Sequence, residues 1–335
     1  MNTATKIATF GAALAATFGV AFGVGTGVGP LDAEPESGKG GHGAHAGSDG
    51  GKGSDGGSGG AAASQPGGLA TTEGGYALDL KTPRVEEGRS EELRFVVRDS
   101  RGKAVTAYKT EHDKEMHLIV ASRDLSTFRH LHPERAADGT WSTEAELPRA
   151  GDYRVFADFT PRAKGAEGLT LGADLAVGGE YGPQPLPGPS AKATVDGYDV
   201  RLDGTLRPGK AGELKLKVSK DGKPVTDLQP YLAAYGHLVA LRSGDLAYLH
   251  VHPNGEPGDG KTKAGPGISF SATAPSAGSY RLFLDFKHEG KVRTAAFTVR
   301  TGGDGAALAG EEKGEKGDGH GKGSQKGEQS GEHTH

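Results

Sequence analysis

Glu92-Leu93-Arg94-Phe95-Val96-Val97 and, well over a hundred residues later, Glu213-Leu214-Lys215-Leu216-Lys217-Val218 share one pattern. Leu93, Phe95 and Val97 stand two apart with charged residues around them, as do Leu214, Leu216 and Val218. A period of two puts each trio on one face of a β-strand. Turn residues follow both runs, Asp99-Ser100-Arg101-Gly102 and Lys220-Asp221-Gly222, which predicts short strands joined by tight connections.

The match continues outward. Gly102-Lys103-Ala104-Val105-Thr106 parallels Gly222-Lys223-Pro224-Val225-Thr226, and Ala150-Gly151-Asp152-Tyr153-Arg154-Val155-Phe156-Ala157-Asp158-Phe159 parallels Ala277-Gly278-Ser279-Tyr280-Arg281-Leu282-Phe283-Leu284-Asp285-Phe286. A unit of about a hundred residues, an ordinary domain length, is present twice. Neither copy shows a sustained helical period. The expectation is an all-β chain of two tandem antiparallel β-sandwich domains, immunoglobulin-like or cupredoxin-like.

The flanks divide the rest. Residues 1–34 hold Lys6 and then no charge from Ile7 to Leu31, with Asp32 and Glu34 beyond, which reads as a signal peptide or an uncleaved membrane-anchoring helix that places the remainder outside the cytoplasm. Residues 35–75 form a Gly-rich spacer with no run able to bury a core. The first repeat spans 76–181, a Pro-rich linker 182–190, the second repeat 191–301, and a Gly, Lys, Glu and His tail 302–335.

A net charge of -4 and a pI near 6.4 give no basic footprint, so no nucleic-acid partner is expected. With no cysteine, disulfides and thiolate metal sites are excluded. His, Asp, Glu and Met remain as ligands.

Six of the thirteen histidines recur at one spacing: His117 then His130-Leu131-His132-Pro133, and His237 then His250-Val251-His252-Pro253. In each repeat a hairpin would set the first histidine opposite the His-x-His pair, whose members share a strand face. Three imidazoles then converge, and imidazole is a common ligand for zinc and copper. Pro133 and Pro253 are expected to end their strands. Asp158 and Asp285 interrupt aromatic strands, where an acid needs a partner; each is expected to orient a ligand histidine or to be a fourth ligand. Met116 is expected to pack rather than ligate, and His112, which Leu232 replaces in the second repeat, carries little weight.

The segments Glu115-Met116-His117-Leu118, Phe128-Arg129-His130-Leu131-His132-Pro133 and Val155-Phe156-Ala157-Asp158-Phe159-Thr160-Pro161, with their counterparts Ala234–Leu241, Leu246–Pro253 and Tyr280–His288, resemble a family of actinobacterial secreted or membrane-anchored proteins associated with heavy metals. The resemblance covers roughly residues 77 to 300. It implies extracytoplasmic metal handling, with copper the leading metal.

Together these readings predict an extracytoplasmic metal-binding protein with one histidine cluster per repeat, acting as buffer, chaperone or sensor. Copper, as Cu(II) or Cu(I), leads and zinc follows, because thiolate-free imidazole sites suit both and the Irving–Williams order favours copper. The expected partners are the metal ion, the membrane through the N-terminal segment, and a membrane metal transporter. Two other classes stay open: a metal-free immunoglobulin-like interaction module, and a metal-dependent enzyme with a three-histidine site. No catalytic residue is assigned.

Overall fold

The computed structural model describes residues 66–249 and 251–302, with His252 described in its backbone only. The expectations for residues 1–65, the tail from 303 and His250 fall outside it. The first repeat comprises β1 (Thr72–Glu73), β2 (Tyr76–Leu80), β3 (Arg84–Glu86), β4 (Ser90–Arg98), β5 (His117–Ser122), β6 (Phe128–Leu131), β7 (Glu134–Arg135), β8 (Thr140–Glu146), β9 (Gly151–Phe159) and β10 (Leu169–Gly178). The second comprises β11 (Lys192–Val195), β12 (Tyr198–Gly204), β13 (Gly212–Lys220), β14 (Lys223–Pro224), β15 (His237–Arg242), β16 (Tyr248–Leu249), β17 (Val251–Pro253), β18 (Gly267–Ala272), β19 (Gly278–His288) and β20 (Lys291–Thr301). Among the described residues there is no helix, and so none long and apolar enough to cross a membrane.

Strand order settles which sandwich this is. In the first repeat the sheets run β1-β2-β4-β8-β7 and β3-β10-β9-β5-β6. Lettering β2, β4, β5, β6, β7, β8, β9 and β10 as A, B, C, C′, D, E, F and G gives A-B-E-D and G-F-C-C′, the immunoglobulin arrangement. The second repeat repeats it, β12-β13-β18-β17 against β16-β15-β19-β20. Both copies also carry a tyrosine corner at the start of strand F: Tyr153 Oη donates to Arg149 O at 2.8 Å, and Tyr280 Oη to Ser276 O at 2.8 Å. That bond back across the E–F connection is a hallmark of the immunoglobulin fold.

The period-two reading explains each core. Leu93, Phe95 and Val97 are fully buried in the first sandwich, and Leu214, Leu216 and Val218 in the second, while Glu92, Arg94, Lys215 and Lys217 face solvent.

β5 and β15 behave differently, being buried on both faces. Leu118 and Val120 point into their own core, while Ile119 and Ala121 belong to a third apolar cluster with Leu125, Phe128 and Phe156 of the first repeat and Val239, Leu241, Leu246 and Phe283 of the second. The two C–F sheets therefore pack against each other. Phe128 stacks on Phe283 with ring centroids 4.1 Å apart, and Phe156 meets Tyr248 at 5.7 Å. Because Phe156 corresponds to Phe283 and Phe128 to Tyr248, the same contact occurs twice with the repeats exchanged, as in an isologous dimer.

Candidate metal centre

The histidines sit at one end of this inter-repeat contact. His117 opens β5, on the face that carries Ile119 and Ala121. Leu118 pairs with Leu131 and Ile119 with His130, so His130 shares that face and the register carried one step further sets His132 opposite His117. His132 and Pro133 span the point where the chain leaves β6 and crosses to β7 in the other sheet. The ring centroids lie 5.4 Å (His117–His130), 5.2 Å (His117–His132) and 4.7 Å (His130–His132) apart. One nitrogen from each ring lies within 4.8 Å of the other two.

Proton bookkeeping shows which nitrogens are open. His117 Nε2 lies 3.1 Å from Glu111 O. A carbonyl only accepts, so this nitrogen carries the hydrogen and Nδ1 is bare in the neutral ring. His130 Nδ1 lies 2.8 Å from Asp285 Oδ2, which assigns its hydrogen to Nδ1 and leaves Nε2 bare. These two bare nitrogens, His117 Nδ1 and His130 Nε2, are 3.1 Å apart. His132 Nε2 is buried without a hydrogen-bond partner.

Two lone pairs at that distance repel unless a cation lies between them. Burial pushes His117 down to about 3 and His132 to about 3, with neighbouring imidazoles adding to the effect, so these two rings stay neutral and keep a bare nitrogen near neutral pH. A metal ion fits: bonds of roughly 2.0–2.1 Å in tetrahedral geometry put neighbouring nitrogens about 3.3 Å apart.

Of the three histidines expected to form the second repeat's cluster, the structure describes the side chain of His237; His250 and the side chain of His252 lie outside the described residues. His237 is buried, and its Nε2 donates to Tyr231 O at 2.8 Å, the counterpart of the His117–Glu111 bond. Burial holds it at about 4. Its ring lies 6.1 Å from that of His130, beside the first repeat's histidines. β16 pairs with β15 through Leu249 and Tyr248, the register of Arg129 and Phe128 in the first repeat, and Val251–Pro253 pairs with β18 in the other sheet; His250, between them, lies outside the described residues. Pro253 is the last residue of that edge strand, where its missing N–H costs no ladder bond.

Both aspartates reach across the interface. Asp285, 3% exposed, lies opposite His237 in the ladder yet accepts from His130 of the other repeat and from Thr294 Oγ1 at 2.5 Å. Asp158 lies opposite His117, accepts from Thr170 Oγ1 at 3.2 Å, and takes the Tyr248 hydroxyl of the second repeat at 3.3 Å. Each acid was expected to orient a ligand histidine or to be a fourth ligand; the bond from His130 to Asp285 runs between repeats.

Met116 is 1% exposed inside the first core, away from the histidines. His288 is buried against Tyr198 Oη at 2.7 Å and Asp227 at 3.0 Å, a structural link within the second repeat. His112 was underrated: its ring lies 5.2 Å from His237 and 6.3 Å from His117. Nothing in the one-dimensional pattern marks it, because its neighbour comes from the other repeat. A cleft of about 870 Å³ opens over the group, lined by His112, His117, His130 and His237 together with Asp158 and Tyr248.

A family model described as a domain of unknown function, DUF8832, matches residues 70–167 and 193–303, most of both sandwiches. The chain belongs to the DUF8832 family. No curated protein matches it. Among solved structures, this DUF8832 member is similar to the Escherichia coli adhesin FdeC (15% identity, 70% of this chain and 66% of that one, TM-score 0.23). It is also similar to a Salmonella alpha-2-macroglobulin mutant (14% identity, 70% and 15%, TM-score 0.23) and to a marsupial T cell receptor (12% identity, 66% and 94%, TM-score 0.21). It spans just under two thirds of the first of these and a small part of the second. Overlaps this loose say nothing of a shared activity.

Proposed function

We propose that this DUF8832 member binds a divalent transition-metal ion outside the cytoplasm, at one centre shared between its two immunoglobulin-like domains. The observation that carries this reading is the 3.1 Å approach of His117 Nδ1 and His130 Nε2, both stripped of hydrogens by acceptors on their far sides, with His132 Nε2 orphaned beside them. His117, His130 and His132 are the ligands. Asp285 fixes the His130 ring in the ligating tautomer, the usual role of a carboxylate behind a metal-bound imidazole, and so ties the second domain to an ion held by the first. Copper is the first candidate and zinc the second, on an all-imidazole donor set with no thiolate or thioether in reach. Such a centre suits a buffer, chaperone or sensor, with the N-terminal segment as the membrane tether and a membrane metal transporter as partner.

Metal analysis and calorimetric titration of the purified chain test this. One tight equivalent of Cu(II) or Zn(II) is expected, lost in His130→Ala. Equal tight binding in wild type and His130→Ala would sink the assignment.

The second reading is a metal-free interaction module of the cell surface. It is favoured by the Phe128–Phe283 and Phe156–Tyr248 contacts and the His130–Asp285 bond, which join the domains without any ion. Absence of tight metal uptake by the wild type would select it.

A further inference from the structure

The centre just described accounts for His117, His130 and His132, but not for His112 and His237. We infer that these two form a second, outer position for the same class of divalent transition metal, through which the ion reaches the inner three histidines. This rests on the metal reading above and adds a route to it.

Four observations carry the inference. The His112 and His237 rings are 5.2 Å apart, the separation of His117 and His132 within the inner group. His237 spends its Nε2 hydrogen on Tyr231 O, so its Nδ1 is bare, as His117 Nδ1 is. His112 borders both the cleft of about 870 Å³ that holds His117 and His130 and an adjoining outer pocket of about 400 Å³, whereas His132 lines neither. It therefore stands where the cleft meets the outer pocket, 6.3 Å from His117.

The fourth observation is a difference between the copies. His112 sits in the turn closed by Glu111 and Lys114, and Leu232 occupies the same place in the turn closed by Tyr231 and Ala234. Both residues take left-handed backbone, φ 49° and 52°, which is costly for any side chain with a Cβ. The turn thus forms with leucine as well as with histidine, and the imidazole is not needed to make it. What the histidine adds is a nitrogen donor facing His237. Glu256, on the wall common to the cleft and the outer pocket, is available to complete the shell with water. Two imidazoles hold an ion less tightly than three, and that ordering lets the outer position pass its ion inward.

Rapid mixing of the full chain with Co(II), followed by its visible absorption and then by transfer to a chelator, tests the route. Wild type should fill a weak position first and the tight centre second. In His112→Ala, which alters a half-exposed turn and spares both cores, the weak phase should vanish and loading of the tight centre should slow about tenfold, with equilibrium affinity there changed by less than about threefold. His130→Ala should keep the weak phase and lose the tight one. Unchanged loading in His112→Ala would overturn the route while the metal reading stands. A loss of tight affinity beyond about tenfold in His112→Ala would make His112 a ligand of the inner centre instead, and would also overturn it. No Co(II) uptake by wild type would remove both.

Discussion

The two repeats share a strand order and a tyrosine corner, yet they differ at several positions around the histidines. In the first, β5 and β6 pair over four residues, from Leu118↔Leu131 to Ala121↔Phe128, and the ribbon delivers three imidazoles to one point. In the second, the described pairs Ala240↔Leu249 and Leu241↔Tyr248 keep the same register, and Val251–Pro253 pairs with β18 in the other sheet. Met116 fills the first core, whereas a side chain on its counterpart Gly236 would come within 2.9 Å of Ile268 Cδ1 and 3.1 Å of Asp285 O. Arg154 has a carboxylate partner, Asp174, at 2.6 Å; its counterpart Arg281 bonds the Thr298 hydroxyl at 2.8 Å and lies over the Phe283 ring. Duplication produced equivalent scaffolds. The packing of one on the other sets Asp285 of the second against His130 of the first.

The widest test of this asymmetry is acidity. His117 and His132 of the first repeat and His237 of the second are held in the folded chain far below the ordinary value of about 6.5. The unfolded chain therefore binds more protons than the native one between roughly pH 6.5 and pH 4. Stability of the metal-free protein should be full above about pH 6.5 and fall as pH drops through that window, by at most about 1.4 kcal/mol per pH unit for each group. Urea melts from pH 7.5 to pH 4.5 would check this. A flat profile would mean that these rings are not buried neutral.

Next in size is the contact that joins the repeats. Phe283→Ala should destabilise the chain by about 3–5 kcal/mol, the usual cost of emptying a buried phenylalanine site, and should disturb the metal centre although Phe283 is no ligand. Denaturant melts and metal titration of the same variant would show whether stability and affinity fall together. Separate behaviour would mean that the interface and the centre are independent.

Asp285→Asn sharpens the comparison further. It keeps the shape and removes the charge behind His130, and should lower metal affinity about ten- to a hundredfold with the same three ligands. Calorimetry with Cu(II) electron paramagnetic resonance would check both halves; an altered spectrum would make Asp285 a ligand itself.

Tyr248→Phe carries the smallest effect. It turns Tyr248 into its counterpart in the first repeat, Phe128, deleting the hydroxyl that reaches Asp158 at 3.3 Å. A loss of about 0.5–1.5 kcal/mol in thermal or denaturant stability is expected, with inner-site affinity nearly unchanged. A larger change in affinity than in stability would place Asp158 in the metal centre.

Much of this was legible from the chain alone. Period-two runs such as Leu93, Phe95 and Val97 announce strands because a strand presents alternate residues to alternate faces. The repeat pairing of Phe156 with Phe283 and of Asp158 with Asp285 announces two copies of one domain. The absence of cysteine limits metal chemistry to imidazole, carboxylate and thioether. The His-x-His spacing brought His117, His130 and His132 to the same place because hairpin register is local, set by the turn between Ser122 and Phe128.

What lay beyond reach is whatever depends on how two finished sheets meet. His130 with Asp285, His112 with His237, and Tyr248 with Asp158 are each separated by ninety or more positions along the chain, and no periodicity couples such pairs. The choice between immunoglobulin and cupredoxin topology follows from strand order within each domain, and the burial of β5 and β15 on both faces and the meeting of His112 with His237 follow from the docking of the C–F sheets. Local sequence determines which side chains leave a strand together. Only the tertiary contact decides which side chains of the other domain they meet.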